Sequence, residues 1–210
     1  DQLPDFSTSY VYTFVSAYGE EGPPSAASTV VTTDDNASVA LSNLQTSTSK
    51  SNSNLGSGAV KRIYRSNTGS NTTAFQFVAE IAMSTTTYTD IKSNAELAEI
   101  IPSYYWVAPP DDDSSTYPDG PMKGLTALPN GIMAGFTGKR ICFSEAFLPH
   151  AWPTSYRMAI EDNIVGMKAA GNGLIVTTEG SPYLIAGSDP ASMSAIKIES
   201  TQACLSKTSM

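Results

Sequence analysis

His150 is the only histidine of the chain, and it lies in CFSEAFLPHAWPTSYR (142–157) with Ser144, Glu145 and Asp162 nearby in sequence. A Ser, a His and an acid are the parts of a hydrolytic triad, in which the imidazole accepts the serine proton and the carboxylate orients the ring. A triad also needs an activated nucleophile, and no Gly-x-Ser-x-Gly elbow is present. In a Ser-rich chain, closeness of Ser, His and acid in sequence carries little weight. His150 is therefore expected to be a hydrogen-bonding strut in a rigid aromatic and proline loop, FLPHAWP (147–153), packed onto a β-sheet.

Other chemistries find less support. One His and two distant cysteines, Cys142 and Cys204, do not make a zinc site, and the cysteines are expected to be unrelated buried thiols. Glycoside hydrolysis needs a convergent carboxylate pair, whereas Glu145, Glu161, Asp162 and Glu179 all fall near predicted turns. Asp111–Asp113 lack the spaced ligands, Gly and downstream Glu of a calcium loop. No glycine-rich phosphate loop precedes a helix, because the glycines sit in hairpin turns. Asn36-Ala37-Ser38 and Asn71-Thr72-Thr73 match the glycosylation pattern but are assigned no role, and Glu20-Glu21 and Asp34-Asp35 read as exposed turn charges. The expectation is a non-enzymatic chain with no catalytic residue, metal or cofactor. Its candidate anchors are Tyr104, Tyr105, Trp106, His150 and Trp152, read either as a contact surface or as packing at a domain junction.

The elements that would position these residues are almost all strands. YVYTFVSAYGEEGPPSAAS (10–28) alternates Tyr10, Tyr12, Phe14 with Val11, Thr13, Val15, so both faces carry β-formers and a strand central in its sheet, covered on both sides, is expected. A Gly/Pro turn at 19–24 follows it. Further strands are expected at 26–33, 37–44, 60–66, 74–83 and 86–91, with a polar loop at 45–58. Helix is confined to a turn or two at 94–101 and 155–160. The residues 102–121 combine aromatics, prolines and an Asp run, and read as an extended connector between a first domain (1–101) and a second (122–210).

The second domain contains an internal repeat. NGIMAGFTGKRICFSE (130–145) aligns with NGLIVTTEGSPYLIAGS (172–188) at an offset of 42 residues, a spacing typical of propeller blades. Each Asn-Gly is preceded by a short strand, GLTAL (124–128) or IVGMKAA (164–170), and SAIKIES (194–200) supplies an outer fourth strand. Asn-Gly suits the positive dihedrals of a hairpin turn. One blade cannot bury its own faces, so further blades are expected, and the chain reads as a piece of a longer protein.

Composition narrows the partners. The 210 residues carry a formal net charge of −8 with 12 Lys+Arg, which argues against a basic nucleic-acid or anionic-membrane footprint. No apolar run reaches the roughly 18 residues of a spanning helix. Charged residues are only 15 %, and Ser, Thr and Asn take the polar positions, as suits extracellular or virion β-proteins.

Two resemblances add to this. YTFVSAYGEEGPPS (12–25) resembles the last hairpin of a fibronectin type III-like module, and RIYRS and FVAEI…TTYTD resemble its middle strands, although the hairpin comes first here. The fold class implied is all-β, a fibronectin III/Ig-like β-sandwich followed by β-propeller-like blades. MKGLTALPNGIMAGFTGKRICFSEAFLPHAWPTSYR with IVGMKAAGNGLIVTTEGSPYLIAGSDPASMS and QACLSKTSM resembles tailed-bacteriophage virion proteins of the tail nozzle or tail-tube-end type, the Ser-Glu-x-x-x-Pro-His-x-Trp-Pro segment being its most particular part. That resemblance implies a structural tail component in the virion, with a homo-oligomeric ring, other tail proteins, host-surface contact and genomic DNA in a channel as partners. An acidic lumen would repel phosphates and let a duplex slide. The alternative is a carbohydrate- or receptor-binding β module.

Overall fold

The computed structural model describes residues 6–34, 37–48, 53–68, 73–111, 115, 117–200 and 202–206. Positions Asp35, Asn36, Asn71, Thr72, Asp112 and Asp113 of the motifs above lie outside the described residues. The fold is all-β, in several small antiparallel sheets. Two one-turn 3-10 segments, Asn94–Glu96 and Thr154–Tyr156, stand within or beside the stretches where the sequence allowed helix. The chain divides into two compact units, Asp1–Tyr104 and Tyr105–Met210.

The first unit is sandwich-like. Its strands are β1 (Phe6–Thr8), β2 (Tyr10–Val15), β3 (Val31–Thr33), β4 (Val39–Leu41), β5 (Val60–Thr68), β6 (Thr73–Ala82) and β7 (Tyr88–Asp90). They form a sheet ordered β2-β5-β6 and two pairs, β1-β3 and β4-β7. The register sets Tyr10 opposite Arg65, Tyr12 opposite Ile63 and Val11 opposite Tyr64. The two-residue side-chain period therefore sends Tyr10, Tyr12 and Ile63 into one core with Val39, Leu44 and Val78, while Val11 and Tyr64 enter a second with Ile101. The two cores provide the expected cover on both faces of β2, but the strand is not central as expected: it ends the order β2-β5-β6, and its outer side bonds to the irregular segment at Gly22, Ser25 and Ser28.

The segment after β2 departs from the expected strand 26–33, of which only Val31–Thr33 is regular. Gly22, Ser25 and Ser28 donate their N–H groups to the carbonyls of Phe14, Tyr12 and Tyr10 in turn, so a step of three residues matches a step of two. Three is the repeat of polyproline II, which Pro23-Pro24 favours because each ring fixes its φ and removes a donor. A three-residue step puts no carbonyl opposite every strand N–H. The hydroxyls compensate: Tyr10 N–H donates to Ser28 Oγ (3.0 Å) and Tyr12 N–H to Ser25 Oγ (3.1 Å).

The second unit consists of two four-stranded meanders. The first contains β8 (Lys123–Ala127), β9 (Met133–Thr137), β10 (Arg140–Phe143) and β11 (Met158–Ala159); the second contains β12 (Ile164–Ala170), β13 (Gly173–Thr178), β14 (Tyr183–Ala186) and β15 (Ser194–Lys197). Each runs in chain order across its sheet, β8 to β11 and β12 to β15. The 42-residue repeat thus corresponds to the first three strands of each meander, at offsets of 40 to 43 residues, while the fourth strands, β11 and β15, begin 36 residues apart. The two-residue β11 replaces part of the helical turn expected at 155–160. One apolar core joins the meanders: Ala134, Phe136, Ile141 and Phe143 from the first with Leu174, Val176, Tyr183 and Ile185 from the second. Each fully buried large side chain there is worth about 1.5–3 kcal/mol of transfer free energy.

The two Asn-Gly pairs do different work. In the first meander Leu128-Pro129-Asn130-Gly131 closes with Gly131 N–H donating to Leu128 O, and Leu128 N–H donates to Ile132 O. Proline at the second position and Gly131 at φ +79° make this a three-residue loop with a left-handed glycine. In the second, Ala170 pairs with Gly173, so the turn is Gly171-Asn172, with the positive φ of +58° on Gly171. Gly173 is needed for space instead: a Cβ there would stand 2.8 Å from Ile185 O. The turn expected at Asn172-Gly173 is shifted by one residue.

The Pro/Asp stretch read as a connector is bonded to the second unit. Trp152 N–H donates to Val107 O, Met122 N–H to Pro110 O, and Thr137 Oγ1 to the carbonyls of Asp119 and Gly120.

Candidate functional site

The His150 loop is built by short-range bonds. Glu145 N–H donates to Ala151 O, Leu148 N–H to Glu145 O and Ala151 N–H to Leu148 O, which closes 145–151 on itself. Phe147 takes a left-handed φ of +62° and its N–H donates to Gly131 O, laying its ring over Gly131, where a Cβ would meet ring carbons at 2.5 Å. Trp152 is buried, and its indole N–H donates to Pro149 O at 2.8 Å. The strut of the loop is therefore Trp152. His150 does not fill the hydrogen-bonding role expected of it: both ring nitrogens are buried with no partner among the described residues. Its ring meets the edge of Trp106 at 6.0 Å.

No hydrolytic triad is assembled around this loop. Ser144 is fully buried; Met133 N–H donates to its Oγ at 2.9 Å, and that hydroxyl donates to Glu145 O at 2.8 Å. No hydrogen bond joins Ser144 to His150. Burial raises the Tyr156 hydroxyl pKa, and Glu145 adds to that rise. The remaining carboxylates serve local structure. Glu161 accepts from Lys197 and from Tyr183 Oη, and the lysine holds its pKa low. Glu179 accepts from Asn163 Nδ2 at 2.8 Å, and Asp162 lies so close over Gly180 that a Cβ there would stand 2.1 Å from Oδ2. Cys142 is buried, which pushes its thiol pKa up, and both cysteines are free. Among the described residues no group of His, Cys, Asp and Glu is placed to hold a metal ion, and no helix is long and apolar enough to cross a membrane.

The aromatic anchors are dispersed. Tyr104 stacks on Phe75 at 5.7 Å in the first unit. In the second unit Tyr105 is exposed, Trp106 is half-buried against His150, and Trp152 is inside.

Sequence reasoning missed the charged residues inside the first unit. Arg65 Nη1 donates to Asp90 Oδ2 at 2.8 Å with both side chains buried, and Tyr10 Oη donates to the same oxygen at 2.9 Å. Burial, then the hydrogen bond to Asp90, pushes the Tyr10 pKa up to about 12. On the opposite face Glu21, expected to be an exposed turn charge, is buried: its Oε1 accepts from Thr13 Oγ1 (2.7 Å) and Tyr64 Oη (2.6 Å), while Arg62 pairs with its Oε2 at 3.2 Å. Burial and the Glu21 carboxylate raise the Tyr64 pKa as well. Lys61, without any exposed surface, donates to the carbonyls of Gln45 and Thr85, and desolvation lowers its pKa. The available signal was KRIYR (61–65), where Lys61 and Arg65 fall on the same face as Ile63 of a strand covered on both sides.

No protein-family model matches this sequence, and no curated protein matches it either.

Proposed function

We propose that this chain is a non-enzymatic structural component of a bacteriophage tail, of nozzle or hub type, assembling through subunit contacts. The resemblance of 122–157, 164–194 and 202–210 to tail nozzle or tail-tube-end proteins supports the reading. The observation that carries it is the pair of tandem four-stranded meanders sharing one core, the unit from which propeller-like bodies are built by repetition. The polar chemistry supports it too. Ser144, Glu145, Glu161 and Glu179 are engaged in bonds that hold loops and strands.

The DNA path belongs to the same proposal: the net charge of −8 favours a lining that repels phosphates and lets a duplex slide. Sedimentation of the intact protein and electron microscopy of the particle test the proposal. A closed ring of subunits on a short tail is the expected result. A monomer that binds glycans on an array and is absent from the virion would replace this reading with the carbohydrate-binding alternative.

A further inference from the structure

Lys123 and Lys168 differ from every other described cation. Of the 12 Lys and Arg residues, Lys50 and Lys207 lie outside the described set. Lys61 bonds to carbonyls, and Arg62, Arg65, Arg140 and Lys197 pair with carboxylates. Lys139 donates to Glu161 O, and Lys92 and Arg157 lie over the rings of Phe77 and Tyr117. Lys123 and Lys168 make no ion pair with a described residue, and both line one cleft of about 440 Å³. Its other walls are Gly124, Phe136, Val165, Gly166 and Met167, so no carboxylate lines it.

The cleft is built by two irregularities facing each other. In β8 the register slips between Lys123 and Thr126, and in β12 between Ile164 and Gly166, each inserting one extra residue. A bulge turns side chains away from the regular alternation and leaves strand groups out of the ladder. Gly124, at φ +62°, brings β8 down onto the Phe136 ring, where a Cβ would stand 2.4 Å from a ring carbon. Lys123 and Lys168 thus flank a cleft whose other side chains are those of Phe136, Val165 and Met167, in a chain of net charge −8. Like charges left without counter-ions favour an anion that satisfies both.

We infer that the β8–β12 cleft binds a phosphate group, the two lysines supplying its counter-charge. The group can belong to a polynucleotide backbone or to a free phosphate-bearing molecule. The site does not depend on the tail reading, since it rests on the two lysines and the bulges alone. The test is a titration of the full chain, isotope-labelled for NMR, with inorganic phosphate at neutral pH and low salt. The expected result is a saturable shift of the amides at 123–124 and 165–168. K123Q/K168Q weakens the interaction by about tenfold or more, as loss of both counter-charges requires. K197Q, which removes the same charge from an exposed pair elsewhere, leaves it intact. A short DNA duplex then separates the sources. If it competes, the dependence of log K on log salt is shallower in K123Q/K168Q by about 1.8, at about 0.9 for each lost phosphate contact. If phosphate binds and the duplex does not compete, the site takes a free phosphate-bearing molecule. No saturation, a shift that survives K123Q/K168Q, or an equal loss in K197Q overturns the site. Both lysines are exposed, and matched thermal unfolding confirms that the variants fold.

Discussion

The two units solve the same problem, a β-sheet core, with opposite materials. The first buries charges inside it: Arg65 with Asp90, Glu21 with Tyr64 and Thr13, and Lys61 with two carbonyls. The second is apolar inside and keeps its ion pairs, Arg140–Asp119 and Lys197–Glu161, at the surface. Apolar packing rewards any pairing of the right pattern and volume, which suits a unit repeated in tandem. Buried polar partners reward one arrangement only, since each must find its complement or remain desolvated and unpaired. The first unit has irregular strands and a hairpin with unequal steps, and it is held by contacts of that selective kind.

The sharpest way to break this contrast is Asp90→Ala, which strands Arg65 and Tyr10. Chemical unfolding should show a loss of about 3–5 kcal/mol, the usual cost of leaving one buried charge alone. Replacing both partners, Arg65→Met with Asp90→Leu, should recover most of that loss. If Asp90→Ala costs no more than a surface pair, the buried charges of the first unit are incidental. Next, Glu21→Ala leaves the Thr13 and Tyr64 hydroxyls unsatisfied and should cost about 1–3 kcal/mol by the same measurement.

The second unit should answer to backbone geometry instead. Gly131→Ala places a side chain at φ +79° and against Phe147, and a loss of about 1–2 kcal/mol is expected from the left-handed conformation alone. Gly171→Asn, at a left-handed position with open space around it, should be nearly silent.

A pH series on a Tyr10 variant addresses the first unit again. The folded-state pKa of Tyr10 is raised from 10.0 to about 12, so its contribution to stability is complete below pH 10 and falls as pH rises towards 12. Tyr10→Phe should therefore flatten the alkaline limb of the unfolding midpoint, and an unchanged limb would contradict that. Smallest of all, Glu161→Gln removes an exposed pair and should leave the thermal midpoint where it is.

How much of this was legible in the residues differs between the units as well. The meanders were readable because turn residues and two-residue alternation recur at a fixed offset. β11 was not, because two residues paired with Arg140 and Ile141 are too short for any period to register. In the first unit the β-formers of 10–15 located β2, but the three-residue step of 22–28 broke the expected strand. Its trace in sequence is Pro23-Pro24-Ser25 with Ser28 three positions on. The candidate site fared worse. Ser144, His150 and Asp162 are neighbours in the chain, yet whether a hydroxyl faces an imidazole or a carbonyl depends on bonds between separate strands, such as that from Met133 to Ser144. The cleft at β8 and β12 depends on two bulges, and a slip in pairing leaves no mark on either strand alone.

The serine hydroxyls that meet Tyr10 and Tyr12 also decide what this protein does in a crowd of its own copies. An open strand edge invites any other strand to add to it, and the invitation is strongest where many identical chains are held close together. Here the donors of β2 on that side are already taken, by side chains on a backbone whose three-residue step no β-strand can imitate. In an assembly of the kind proposed, that closes the β2 edge to strand addition from a neighbouring copy.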